Sequence, residues 1–408
     1  MGASAAELTV RQVLDWRLRR QFLTGVGSDG AVGSDGVAGP DGAAGSGGAP
    51  GPDGAVAAVE RLAGVQAQVP AAAELALALR AGGPAAVERT RRALADGRLL
   101  RTWAQRGTLH LLTPAAAADA LALIGSARTW EKPAWTREFG ATPEQVAQLV
   151  ETVGELLREA VLTREELTAA LVADTRFAAL EGQLKSGWGA LLKPLAWQGV
   201  LCHAPAGGGR AAFTHPGALV PHWPGLPPVE EAGPRLLAAY LGAYGPATPE
   251  RFDAWLSRNS LRKAVLKGFV AALGDRVAEV RVAGEPALAL TAHVEELAAV
   301  EPSPSVHLVG AFDQYVLGPG TKAAELLPAA HRAKVSRAGG WIAPLLLVDG
   351  RIAGTWEQEG AVLTVTPFER APGERAPEER ELTAAVERLA AAAGAPVTEV
   401  RMRVAGEG

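Results

Sequence analysis

Two glutamines, Gln66 and Gln68, stand in an otherwise apolar strip, Gly64-Val65-Gln66-Ala67-Gln68-Val69-Pro70. Pro70 pushes Val69 away from helical angles, so the strip is expected to be extended or turn-like. Residues two apart in an extended strip point the same way, and the two carboxamides then project together. A carboxamide is neutral and too weakly basic to serve as a general base near neutral pH. Its oxygen can still accept a hydrogen bond from water and hold that water in line, and its dipole can stabilise developing positive charge. The same two residues also suit a plainer role, hydrogen-bonding a loop.

Other reactive groups are sparse. Cys202 and His203 are adjacent, with no second pair at ligand spacing, and His215 and His222 stand alone, so no metal site is expected. No P-loop, dinucleotide fingerprint or G-x-S-x-G elbow occurs. Thr108 and His110 lie two apart in a strand-like run and are read as partners for a phosphate or sugar, or as a partly buried pair at a wing. From Arg80 to Arg106 there are seven arginines against Glu88 and Asp96. Of these, Arg89, Arg91, Arg92, Arg101 and Arg106 are candidates for phosphate contacts, which position a duplex without reading it. Arg351, beside the Asp349-Gly350 turn, is a candidate for a groove. Asp313 and Tyr315 read as packing and a turn hydrogen bond, and Trp103, Trp188, Trp255 and Trp356 read as core.

The elements that must carry these residues repeat one pattern. Thr142-Pro143-Glu144 and Thr163-Arg164-Glu165-Glu166 are helix starts: a capping threonine followed by proline or by a capping-box acid. Helices from about 143 to 160, 164 to 173 and 187 to 198 then lead to strand-like runs at 199–204 and 210–214. A second copy has helices near 230–243, 248–256 and 260–273, then strands near 276–283 and 286–291. A third, earlier copy has helices near 8–23, 55–63, 71–80 and 84–95, then strands at 98–104 and 107–112. Helices closed by a β-hairpin make a winged helix-turn-helix.

The expected fold class is therefore mostly α with β-hairpins (α+β): three tandem winged helix-turn-helix units at 1–125, 126–222 and 223–304, plus a C-terminal β-rich domain at 305–408. That last domain has strands near 306–310, 342–348, 351–356 and 361–366, a helix near 377–393 and a last strand near 396–403, with Asp349-Gly350 as a type I′ turn. Glycine falls at every third position from Gly27 to Gly54, ten times. Too few prolines accompany it for a collagen helix, so 25–54 reads as a Gly-rich disordered insert without chemistry.

Bulk properties narrow the class further. The chain has 408 residues, a net charge of −4 and one cysteine, which excludes a disulfide framework and fits a reducing compartment. Residues Met1 to Thr9 lack the features of a secretory signal. No run of 18 uninterrupted apolar residues is present, so no membrane span is expected.

The run Arg61-Leu62-Ala63-Gly64-Val65-Gln66-Ala67-Gln68-Val69-Pro70 resembles the glutamine–hydrophobic–glutamine motif of the AlkZ-type (YcaQ-related) DNA glycosylases. Trp16-Arg17-Leu18-Arg19-Arg20 upstream agrees, as does Arg101-Thr102-Trp103-Ala104-Gln105-Arg106-Gly107-Thr108-Leu109-His110. So do Ala311-Phe312-Asp313-Gln314-Tyr315-Val316-Leu317-Gly318 and Val348-Asp349-Gly350-Arg351-Ile352-Ala353-Gly354-Thr355-Trp356, in the same order.

The resemblance implies that Gln66 and Gln68 form the catalytic centre of a monofunctional glycosylase acting on double-stranded DNA, with no cofactor. It also implies tolerance of bulky or crosslinked adducts. Because carboxamides give only mild help, the leaving group must already be good. An N7-alkylated purine, whose cationic ring departs as a neutral base, meets that condition. The protein is then expected to be a cytoplasmic, nucleoid-associated monomer. The alternative is a non-catalytic winged-helix DNA-binding protein or transcriptional regulator.

Overall fold

In the computed structural model, residues 5–24, 53–205, 210–370 and 373–403 are described; the Gly-rich stretch 25–52 lies outside them. The chain opens with a short strand, β1 (Ala6–Leu8), and a helix, Val10–Arg20. The helix expected over 8–23 forms but starts later, because Thr9 caps it: its side chain accepts from the Gln12 amide, and Gln12 reaches back to the Thr9 amide.

Three times the chain then follows, with local departures, one order: helix, short strand, helix, helix, strand, strand. In the first copy these are Gly54–Arg61, β2 (Val65–Gln66), Pro70–Ala81, Ala85–Ala95, β3 (Leu100–Trp103) and β4 (Leu109–Leu112). Helix Pro114–Ser126 connects to the second copy, which starts with Pro143–Arg158, β5 (Leu162–Thr163) and Arg164–Val172. Both helices begin on the expected threonine caps; Thr163 forms its expected box with Glu166, and Thr142 forms one with Gln145 as well. The helix expected over 187–198 forms only as Leu192–Trp197, and a separate short helix, Glu181–Lys185, precedes it. Gly189, at φ +63°, breaks the run. Strands β6 (Cys202–His203) and β7 (Ala212–Thr214) close this copy. The third copy has helices Val229–Tyr244, Pro249–Ser257 and Lys263–Leu273, then β8 (Val277–Val282) and β9 (Glu285–Leu290). Its first strand is reduced to a bridge between Ala247 and Leu288. This is the element order of the winged helix-turn-helix.

The wings do not stand alone. β3 pairs with β6 through Arg101 and His203, which fuses the first two wings into one six-stranded sheet in the order β2-β4-β3-β6-β7-β5. β1 joins the third wing, parallel to β8. The helix that follows β1 packs there too: Arg17 donates to the Gly245 and Pro246 carbonyls at 3.2 and 3.1 Å, and Gln21 to the Ala243 carbonyl. These groups satisfy carbonyls at the end of helix Val229–Tyr244, which would otherwise lack partners.

The last sheet runs β10 (Val306–Val309), β11 (Leu345–Val348), β12 (Arg351–Glu359), β13 (Val362–Pro367), β14 (Glu399–Met402) in spatial order. Leu345 and Leu347 pack with Leu14 and Leu18 on one face, while Leu346 and Val348 pack with Leu389 of helix Glu379–Ala393 on the other. Covering both faces explains why β11 is apolar throughout rather than alternating. Asp349 and Gly350 both have positive φ, +54° and +78°, as a type I′ turn requires. Arg80 and Asp313, both fully buried, form a two-pronged ion pair at 2.8 and 2.7 Å that ties helix Pro70–Ala81 to this last sheet.

Candidate active site

The strip bearing the glutamines is shaped by the turn before it. Helix Gly54–Arg61 ends in Ala63 at φ +50° and Gly64 at φ +113°. A Cβ on Gly64 would lie 2.7 Å from Leu112 Cδ2, so only glycine lets the chain turn here. Two side chains hold the turn: Gln105 Nε2 donates to the Ala63 carbonyl at 2.9 Å, and Tyr244 Oη to the Leu62 carbonyl at 2.6 Å. From Val65 the chain is extended. Val65 lies opposite Leu111 and Gln66 opposite His110, and the Ala67 amide donates to the Leu109 carbonyl at 2.7 Å. Pro70 then opens the next helix at its first position.

Alternation sorts the side chains. Val65 and Ala67 enter an apolar cluster with Leu62, Leu77, Leu99 and Leu111. Gln66 and Gln68 take the other side. Gln66 is 7 % exposed, and its Oε1 is buried without a hydrogen-bond partner among the described residues. Gln68 is exposed, and its Oε1 accepts from the Leu109 amide at 3.2 Å. One carboxamide is thus sunk into the wing and the other lies at its surface.

Gln66 heads a row across three strands: Gln66 on β2, His110 on β4 and Thr102 on β3 are successive cross-strand neighbours. Thr102 Oγ1 and His110 Nε2 are, like Gln66 Oε1, buried without partners among the described residues. His110 Nδ1 lies 3.0 Å from the Thr108 carbonyl. A carbonyl only accepts, so we assign the proton to Nδ1, which leaves Nε2 as a bare acceptor. Burial holds this imidazole neutral and, with the Arg106 guanidinium, pushes its pKa down to about 3.

Most of the expected DNA contacts are otherwise engaged. His110 is 1 % exposed and cannot meet a phosphate directly. Arg106 turns inward, donating from Nη1 to the Trp255 carbonyl at 2.8 Å with Nη2 buried. Arg101 Nη2 donates to the Ala67 carbonyl at 3.2 Å, bracing the backbone between the two glutamines rather than facing solvent. Arg89 donates back to the Ala81 carbonyl, and Arg91 pairs with Glu74 at 3.0 Å. Arg92 alone of the helix set has an exposed side chain with no partner among the described residues. Arg351 lies 3.5 Å from Glu374. The adjoining turn points into the protein, because Tyr315 Oη donates to the Gly350 carbonyl at 2.8 Å and a Cβ on Gly350 would strike Leu14. That turn cannot enter a groove.

Trp103, Trp255 and Trp356 are buried as expected, but Trp188 is 78 % exposed. Asp313 makes its turn hydrogen bond to the Tyr315 amide at 2.8 Å, yet its main partner is Arg80. Cys202 is buried, and burial pushes its thiol up to about 12, so it is inert. Among the described residues no cluster of His, Cys, Asp or Glu suits a metal, and no helix is long and apolar enough to cross a membrane.

Lys193 and the run Arg258-Asn259-Ser260-Leu261-Arg262-Lys263 are cationic features that the sequence patterns above do not single out. Arg258 and Arg262, between the second and third helices of the third copy, and Lys263, which opens the third, are exposed with no ion pair among the described residues. Lys193 approaches Gly107, at the tip of the first wing, and its ammonium is destabilised by burial and by Arg258 nearby. Three cations without an intervening acid, at the junction of two helices, are the signal that marks this loop.

Comparisons with known proteins agree with this architecture. The family profile described as DNA glycosylase AlkZ-like matches residues 59–392. An interstrand DNA cross-link repair glycosylase of Streptomyces sahachiroi is 47% identical over 359 residues, which is 88% of this chain and 90% of that protein. The solved structure of the Streptomyces sahachiroi DNA glycosylase AlkZ superposes with a TM-score of 0.86 at 44% identity, covering 98% of this chain and 100% of the other. With a family profile across most of its length and a relative this similar, the chain belongs to the AlkZ-like family of DNA glycosylases, hydrolases of N-glycosyl bonds.

Proposed function

We propose that this protein excises N7-alkylated purines, bulky and crosslinked ones included, from duplex DNA by directing water onto the sugar, with Gln66 and Gln68 as the catalytic residues. The observation that carries the reading is the pair itself: two carboxamides on one side of an extended strip, one nearly buried and one exposed. The crosslink part draws on the similarity to a glycosylase of interstrand DNA cross-link repair.

The chemistry follows from what an amide can do. Water oxygen forms a bond to C1′ while the bond from C1′ to the purine N9 breaks. The bonding pair leaves with the base, whose cationic N7-alkylated ring thereby becomes neutral, and the water proton passes to solvent. No side chain need change protonation, and water is the only co-reactant. Gln66 Oε1 accepts a hydrogen bond from the attacking water, and Gln68, fixed by the Leu109 amide, limits where that water can sit. Such dipoles help most where charge develops and solvent is scarce.

His110 sets the orientation of Gln66. The two ends of a carboxamide are interchangeable in shape. The bare Nε2 of His110 calls for a donor, and residues directly opposite on antiparallel strands have Cβ atoms about 5 Å apart. Turned so that Nε2 of Gln66 meets His110, the amide presents its oxygen outward, to the water. The enzyme acts as a monomer on one duplex. The test is incubation of purified protein with a duplex carrying one defined N7-alkylguanine, scoring free base. Wild type releases it, and the Gln66→Ala/Gln68→Ala double variant binds the duplex but does not. Release by the double variant would remove both residues from the mechanism.

A further inference from the structure

Trp188 is the most exposed tryptophan among the described residues, ahead of Trp341 at 41 %. It is 78 % exposed, whereas Trp16, Trp103, Trp130, Trp255 and Trp356 are all buried. An indole in water is costly to keep unless something covers or uses it.

The loop that presents it is held in place. Arg164 Nη1 donates to the Ser186 carbonyl at 2.9 Å, and the Gly189 amide donates to the same oxygen at 3.1 Å. The Gly189 carbonyl in turn accepts from the amides of Leu192 and Lys193, which starts the next helix. The backbone of Gly189 lies on the indole of Trp103, since a Cβ there would come within 2.6 Å of its Cζ2. Trp103 is the cross-strand partner of Leu109, whose amide holds Gln68. Trp188 is therefore fixed at the same end of the sheet as the surface glutamine.

Its surroundings select a partner. Gly187 and Gly189 flank it, so its chain neighbours offer no side chain to cover the ring, which stays largely exposed. Lys193, the second residue of the helix that this loop starts, and Arg258, near enough to Lys193 to act on its ammonium, are cations with no ion pair among the described residues. A bare indole on a loop that runs directly into Lys193, with Arg258 near that lysine, fits a polyanion that also offers flat faces, as a nucleic acid does. An apolar protein surface would leave both cations buried and unpaired.

We propose that Trp188 is a DNA-contacting residue that stacks on a planar face at the lesion, with Lys193 and Arg258 taking phosphates beside it. This rests on the reading that the glutamine end of the sheet faces the duplex. The planar face is either a base next to the damaged nucleotide or the flat part of a bulky adduct, and the experiment separates them.

Binding of wild type, Trp188→Ala and Trp188→Phe is measured by fluorescence anisotropy on three duplexes: undamaged, carrying a small N7-alkylguanine, and carrying a bulky planar N7-guanine adduct. Stacking on a base predicts binding about tenfold weaker for Trp188→Ala on both damaged duplexes, with Trp188→Phe close to wild type. Stacking on the adduct predicts that loss on the bulky duplex only. The thermal midpoint stays unchanged, because the ring makes little contact with the protein. Wild-type binding of all three duplexes by Trp188→Ala overturns the proposal, as does unchanged binding together with a changed oligomeric state in sedimentation. Excision fails separately: loss of base release in the double glutamine variant, with no binding defect in Trp188→Ala, keeps the glycosylase reading and discards this one.

Discussion

Gln66 and His110 face each other across the antiparallel pair β2–β4, and each keeps one buried polar atom, Oε1 and Nε2, without a partner among the described residues. Buried polar groups are nearly always satisfied, so two orphans side by side mark a place where the amide orientation or a bound water matters. If His110 acts only by orienting Gln66, its loss costs nothing once Gln66 is gone. We expect His110→Ala to slow single-turnover excision by about 10- to 100-fold in the wild-type background, and by less than about threefold in a Gln66→Ala background. A purely structural role for His110 would give equal losses in both, and a lowered thermal midpoint in both.

The pH dependence of stability follows from the buried histidines. His110 and His203 are pushed down to about 3 and His307 to about 4, in each case chiefly by burial, from an ordinary 6.5. The unfolded chain therefore takes up protons below pH 6.5 that the folded chain refuses. Their contribution to stability is fully present above pH 6.5 and is lost as pH falls towards 3 to 4. Each such group costs up to about 1.4 kcal/mol per pH unit within that window. Urea unfolding at pH 7, 6 and 5 should show an accelerating loss, and His203→Gln should flatten the slope. Excision by folded protein should stay level from pH 7 to 5, because His110 remains neutral throughout.

The sequence is a good guide to what is local and a poor one to what is paired. Thr142, Thr163 and Thr248 announce their helices because a cap is decided by a few adjacent residues, and Pro70 with the alternation of Val65, Gln66, Ala67 and Gln68 suffices for an extended strip. The partner of Gln66 is not legible, since register between β2 and β4 is set by tertiary packing. The arginines mislead for a related reason: Arg101 and Arg106 donate to the Ala67 and Trp255 carbonyls, acceptors that every residue carries and no sequence distinguishes. Trp188 misleads because an apolar side chain between two glycines reads as core until the backbone of Gly189 is seen to occupy the space over Trp103.

The turn at Gly64 offers a direct test of how finely the strip must be set. Gly64→Ala meets both a left-handed φ of +113° and a Cβ contact of 2.7 Å with Leu112. We expect a stability loss of about 1–3 kcal/mol. Excision should fall further than the unfolded fraction accounts for, because displacing this turn moves Gln66 relative to His110. Gly82→Ala, at φ +85° with nothing within 4 Å, is the control: it carries the backbone strain without the collision. Its excision rate per folded molecule should match wild type.

Salt dependence distinguishes arginines that hold the protein together from cations that hold DNA. Each phosphate contact that is lost lowers the slope of log K against log salt by about 1. Lys193→Ala and Arg258→Ala should each do so on undamaged duplex, since neither has an ion pair among the described residues and both lie by the glutamine end of the sheet. Arg101→Ala should leave the slope at its wild-type value, because its guanidinium is half-buried against the Ala67 carbonyl. What Arg101→Ala should change is single-turnover excision, through loss of the brace between Gln66 and Gln68. A reduced slope for Arg101→Ala, with wild-type slopes for the other two, would place the duplex on the opposite face of the fused wings.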